Sequence, residues 1–206
     1  MTDEILKQLN KIRKNNGFLT LEEVVLITKR GNIVLDPFSL LISADVIIGS
    51  NNTFYPNVIF ETKNKGEIKI GDNNIFSMNT FLFAENGLIT VANKNHFGSG
   101  GCTIKANGKG SHITFGDKGR YENNPLIIGK TTLGSGSQIL GNITVQDCTL
   151  EAGENFEEED PDLRGAVLKG SGYARNINLF KGHVINAYGN FKDAPIELQS
   201  TYHPKQ

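Results

Sequence analysis

His96 and Arg120 are the two side chains whose types and spacing most readily suggest chemistry. His96 sits in Val91-Ala92-Asn93-Lys94-Asn95-His96-Phe97 and Arg120 in Phe115-Gly116-Asp117-Lys118-Gly119-Arg120-Tyr121, at the same place in two copies of one phrase. An unperturbed imidazole titrates near neutral pH, so it can take a proton from a hydroxyl or amine. A guanidinium beside it grips a carboxylate or phosphate. His112, in Ser111-His112-Ile113, is a second candidate expected to face outward, while His183 and His203 fall in the less regular end of the chain. Cys102 with His96 would make a nucleophile and base. Both are expected to face outward, but six residues place them a corner apart on different faces, which argues against a direct hydrogen bond.

The elements that position these residues come from repetition. The phrase also occurs as Ile48-Gly49-Ser50-Asn51-Asn52-Thr53-Phe54 and Ile70-Gly71-Asp72-Asn73-Asn74-Ile75-Phe76. Each copy opens on an apolar residue and closes six later on Phe or Tyr, with turn-forming Gly, Asn and Asp between. The residues before the openings rhyme as well: Gly66-Glu67-Ile68-Lys69, Gly87-Leu88-Ile89-Thr90 and Ser111-His112-Ile113-Thr114. Openings at 48, 70, 91 and 115 give steps of 22, 21 and 24 residues. Within a step the apolar beat is six residues, as in Ile48, Phe54, Phe60 or Leu133, Ile139, Val145. Three short strands per step, with polar extras at one corner such as Lys63-Asn64-Lys65-Gly66 and Ala106-Asn107-Gly108-Lys109-Gly110, predict a three-sided solenoid. Its interior is a ladder of Ile, Val, Leu and Phe. With Phe97 on the inward beat, His96 points out, in one column with Thr53, Ile75 and Arg120 and about 5 Å from the next coil.

Residues 1–30 read as an N-terminal helical cap. Within it, Ile5, Leu6, Leu9 and Ile12 recur at helical spacing over residues 2–15, an amphipathic helix expected to lie over the open end of the solenoid. Leu21 to Arg30 is apolar and β-branched in the middle and of ambiguous type. Residues 31–191 are the solenoid, interrupted by an acidic loop at 151–165 that reads as a solvated excursion, and residues 192–206 read as a tail. A net charge of −1 gives no reason to expect a nucleic-acid or membrane partner. There is no apolar run long enough to span a bilayer and no visible signal peptide, so the cytoplasm is the expected compartment. Two cysteines in different coils suggest neither a disulfide framework nor a zinc set.

Residues 31 to about 156, with units such as Ile70-Gly71-Asp72-Asn73-Asn74 and Leu133-Gly134-Ser135-Gly136-Ser137, resemble the hexapeptide-repeat proteins. That resemblance implies an all-β fold, a left-handed parallel β-helix shared by many bacterial acyltransferases. A right-handed β-helix also has long coils and Asn ladders, but the regular six-residue beat argues against it. The family implies transfer of an acetyl or other acyl group from coenzyme A to a hydroxyl or amine of a small polar acceptor, such as a sugar, in a homotrimer with sites between subunits. Carried onto this chain, it makes His96 the general base, Asn95 its orienting neighbour and Arg120 the grip on the acceptor. Gly98, Gly100 and Gly101 would bring backbone N–H groups to the thioester oxygen of acetyl-coenzyme A. The zinc-hydratase branch, with its His-x4-His, is not matched, and no metal is expected. The reading from another class is a non-catalytic β-helix scaffold or ligand-binding module.

Overall fold

Asparagine turns the corners. In the computed structural model, which describes residues 2–203, left-handed backbone occurs at Asn51, Asn57, Asn64, Asn73, Asn79 and Asn86, with φ between 52° and 64°. Asparagine tolerates that region because its short amide bonds locally. Lys94 and Lys118 take the same geometry at the corners that precede His96 and Arg120.

Between corners the chain runs as short parallel strands on three faces of a left-handed parallel β-helix. The first face carries Ile33–Val34, Thr53–Phe54, Ile75–Phe76, His96–Phe97, Arg120–Glu122 and Gln138–Leu140. The second carries Leu41–Ile42, Ile59–Lys63, Phe81–Glu85, Thr103–Ala106, Leu126–Ile128 and Ile143–Gln146. The third is a sheet of seven strands, Ile47–Ile48 to Asn178–Leu179. Near the C-terminal end Val167–Arg175 and His183–Asn190 run from the first face into the second without a break, joining those two faces into one sheet of 15 strands.

Alternation drives one side chain in and the next out, and most of the inward set is apolar. Phe54, Phe76, Phe97 and Tyr121 stack on successive coils, with centroids 5.5, 4.9 and 5.3 Å apart. Phe60 and Phe115 meet this stack edge-on. Beside the rings runs a buried amide ladder. Asn32 Oδ1 accepts from the N–H of Asn52 (2.8 Å), Asn52 Oδ1 from that of Asn74 (2.9 Å), and Asn74 Oδ1 from that of Asn95 (2.9 Å). The amide nitrogens of Asn52 and Asn74 donate to the carbonyls of Gly71 and Ala92, so groups shut away from water are paired. The ladder changes character at Gly119, where the next asparagine would stand. Gly119 donates to Asn95 Oδ1 at 2.8 Å, and a Cβ there would lie 2.1 Å from the Tyr121 hydroxyl oxygen. That hydroxyl fills the missing amide's place and bonds Ser137 Oγ at 3.2 Å.

The helical cap divides its work differently from the expectation that the first helix covers the open end. α1 (Asp3–Asn15) keeps Ile5 and Ile12 exposed, and what it buries is Arg13. The Arg13 guanidinium donates to the carbonyls of Leu19 (2.6 Å) and Leu40 (2.5 Å), and desolvation lowers its pKa. The plug itself is the ambiguous segment. α2 (Leu21–Leu26) starts on a Thr20–Glu23 capping box, continues as a 3-10 turn to Arg30, and places Leu21, Val24 and Ile27 in the core.

The other end is closed by what the sequence suggests is a tail. Beyond the fully buried Phe191, the last residue of the expected solenoid, Glu197–Leu198 pairs antiparallel with His183–Val184, and the buried Gln199 amide donates to the Gly165 carbonyl at 2.8 Å. Met1 and residues 204–206, the last of that tail, lie outside the described residues.

Candidate functional site

His96 opens its strand on the first face, hydrogen-bonded through its N–H to the Gly119 carbonyl at 2.9 Å. Its register neighbours are Ile75 on one side and Arg120 on the other. Its side chain is 44% exposed, and Nδ1 lies 3.8 Å from Glu122 Oε1. That distance is too long for a hydrogen bond and short enough for an ion pair once the imidazole is protonated. Glu122 reaches this position by lying over Gly98, where a Cβ would stand 2.8 Å from its Cγ. Gly98 therefore clears a path for a carboxylate, a role different from the one the resemblance implies.

The other expected members of the set are engaged elsewhere. Asn95 is buried, its Oδ1 accepting from Gly119 and its Nδ2 directed at the Asn93 carbonyl. It builds the ladder inside the prism, and orienting His96 is not open to it. The Gly98 N–H donates to the Tyr121 carbonyl (2.8 Å) and the Gly101 N–H to the Gly98 carbonyl (3.1 Å), so neither is available to a thioester oxygen. Gly100 is exposed at the tip of the same turn.

Cys102 corrects a second expectation. It points inward, fully buried, because Gly98-Ser99-Gly100-Gly101 holds one residue more than the equivalent corners and reverses the parity of the strand that follows. Burial raises the pKa of its thiol, so it is neither outward nor a nucleophile. His112 is exposed on the third face, its Nε2 3.3 Å from Thr114 Oγ1, with Leu88 and Lys130 as register neighbours.

From Arg120 onward the first face is no longer flat. Arg120 Nη2 donates to Gln138 Oε1 at 2.9 Å, and its guanidinium carbon lies 4.5 Å from the centre of the Phe156 ring. Its Nε is the one buried side-chain nitrogen or oxygen among the described residues without a hydrogen-bond partner. Phe156 comes from the acidic excursion, which folds back over this face, and Arg164 leaves the same excursion with its Nε on the Glu158 carbonyl at 2.8 Å. The C-terminal segment closes the other side with Gln199, Tyr202 and His203. Between them is a cavity of about 320 Å³, into whose wall Lys169 also falls.

Sequence reasoning reaches Arg120 and misses Phe156, Arg164 and Lys169. The signal that could have found them is compositional: Arg164 and Phe156 are out of character in a stretch otherwise rich in Glu and Asp. Among the described residues no three of His, Cys, Asp and Glu gather as a metal site, and no helix is long and apolar enough to cross a membrane. No protein-family model matches this chain and no curated protein does, so fold and site geometry alone bear on its function.

Proposed function

We propose that this chain is a coenzyme A-dependent acyltransferase of the hexapeptide-repeat kind, acting on a hydroxyl or amine of a small polar acceptor. The observation that carries the reading is the half-exposed imidazole of His96, with the Glu122 carboxylate 3.8 Å from its Nδ1 and Arg120 as its register neighbour on the next strand. With Nδ1 turned toward Glu122, Nε2 is the nitrogen that takes the acceptor's proton as the acceptor oxygen or nitrogen attacks the thioester carbonyl. Glu122 stabilises the imidazolium that forms. The tetrahedral intermediate then collapses with loss of the coenzyme A thiolate, which takes the proton from His96, and the acyl group stays on the acceptor. Arg120, one strand away, holds the acceptor's negative group. The bare upstream part of the first face is where a second and third copy would pack, giving a homotrimer in the cytoplasm.

Thiol release from acetyl-coenzyme A with a panel of amino and hydroxy acceptors tests this. His96→Ala should lower the rate by roughly a hundredfold or more and Glu122→Gln by less. Light scattering should give three times the 22.6 kDa chain mass. No turnover with any acceptor, together with no coenzyme A binding by calorimetry, overturns the reading.

A non-catalytic binding module is the second reading. The observation that favours it is that the N–H groups of Gly98 and Gly101 are spent on the fold, which removes two of the three donors expected for the thioester oxygen, and that Asn95 is spent on the ladder and does not orient His96.

A further inference from the structure

We infer that the cavity downstream of His96 is a binding site for a compact organic anion, a carboxylate or phosphate carried on a small body. The binding claim stands by itself; that the anion is the acyl acceptor rests on the acyl-transfer reading.

Charge is the first ground. Arg120, Arg164, Lys169 and His203 contribute to the wall of this cavity, and among the described residues no carboxylate side chain does. This holds although the chain is net acidic and the segment that roofs the cavity carries Glu157, Glu158 and Glu159. Glu157 and Glu159 stay exposed, while Phe156 and Arg164 of the same segment border the cavity. An excursion whose one arginine lines the cavity while Glu157 and Glu159 stay wet is not behaving as a solvated charge run.

Preorganisation is the second ground. The Arg120 guanidinium is held from one side by Gln138 and from the face by Phe156, and that of Arg164 by the Glu158 carbonyl. Cations fixed before a ligand arrives lose little freedom on binding it, in contrast to lysines waving from a surface. Arg120 Nε, buried without a partner, shows that this side chain is not placed to satisfy its own hydrogen bonds.

Size and lining set the class. At about 320 Å³ the space lies at the small end of ligand sites and holds roughly ten water volumes of ~30 Å³ each. Coenzyme A as a whole is too large for it. Leu140, Val167 and Val184 form an apolar strip, and Asn186 offers an amide for a hydroxyl or carbonyl. A small hydroxy acid or a sugar phosphate meets all of these demands. Because Arg120 is the register neighbour of His96, a ligand anchored here places its far end within reach of the imidazole.

Calorimetry on the full chain without coenzyme A tests this, with inorganic phosphate, glucose 6-phosphate and malate as probes. At least one probe should bind with a millimolar or tighter Kd, and Arg120→Gln and Lys169→Gln should each weaken it about tenfold. Lys105→Gln, on the second face, should leave it unchanged. Phosphate-bearing probes binding without malate makes the ligand a phosphate, and the reverse makes it a carboxylate. Lys169 is exposed, so its variant stays informative if Arg120→Gln fails to fold. No binding of any probe, or equal weakening by Lys105→Gln, overturns the site. Binding with no acyl transfer leaves the site standing and removes only the acceptor role.

Discussion

The two ends of the first face are built on the same parallel ladder and look unlike each other from outside. At the start, Ile33, Leu35, Tyr55 and Ile75 stand exposed on a flat sheet. At the end, Arg120, Gln138 and Val167 occupy register positions continuing the Ile75 and His96 column and are roofed by the excursion and the C-terminal segment. A solenoid fills its own interior, so repetition by itself makes surfaces and no concavity. A cavity arises where the chain departs from the repeat and folds back. The interior follows a parallel division: upstream, stacked rings and asparagines repeat, and at Gly119 and Tyr121 the pattern changes partners.

The widest contrast is between two phenylalanines. Phe76→Ala, in the middle of the ring stack, should cost about 3–5 kcal/mol in urea unfolding because neighbouring coils cannot collapse into the gap. Phe156→Ala, in the roof of the cavity, should cost about 1 kcal/mol or less, the worth of its contact with Arg120. Similar losses at both positions would erase the distinction between repeat and departure.

Next come the amides. Asn74→Ala strands the Asn95 N–H and the Ala92 carbonyl inside the prism and should cost about 2–3 kcal/mol. Asn93→Ala, in the parallel column of Asp72, Asn93 and Asp117 nearer water, should cost under about 1 kcal/mol, because water replaces its Oδ1 as acceptor for the Asp72 N–H. Where the ladder changes partners, Gly119→Asn should cost about 1–3 kcal/mol by colliding with the Tyr121 hydroxyl. Adding Tyr121→Phe should return much of that loss, and a double-mutant cycle that shows simple additivity would deny the exchange of hydroxyl for amide. The smallest effect concerns the thiols. Burial raises the pKa of both Cys102 and Cys148, so neither should react with a thiol reagent until urea unfolds the chain, whereas a rapidly labelled Cys102 would restore it to the outer surface.

Much of this was legible in the sequence. The six-residue beat carries the three faces, and the matching places of His96 and Arg120 in their phrases carry the pairing seen between them. The inward turn of Asn95 was legible too: Asn52, Asn74 and Asn95 each stand two residues before a buried phenylalanine, and residues two apart on a strand share a side. Cys102 defeated the beat because a single added residue inverts parity, and nothing local in Gly98-Ser99-Gly100-Gly101 says how many residues the corner absorbs. The roof over Arg120 was out of reach for another reason. Phe156 and Arg164 lie in a stretch with no period, and which face such a segment folds onto depends on contacts distant in sequence.

Among the described residues the named strands run parallel except at the C-terminal extremity, where Leu198 faces His183; at the other extremity Phe18 meets Ser43, also antiparallel. A stack of parallel rungs at this spacing is a template for end-to-end growth, and any bare last rung would recruit the first rung of another copy. Reversed pairing at each extremity, with Arg13 occupying the carbonyl of Leu40, takes those rungs out of register with an incoming copy. The rod is therefore built to stay short, and shaving off either reversed segment should turn a stable monodisperse particle into one that elongates into fibres.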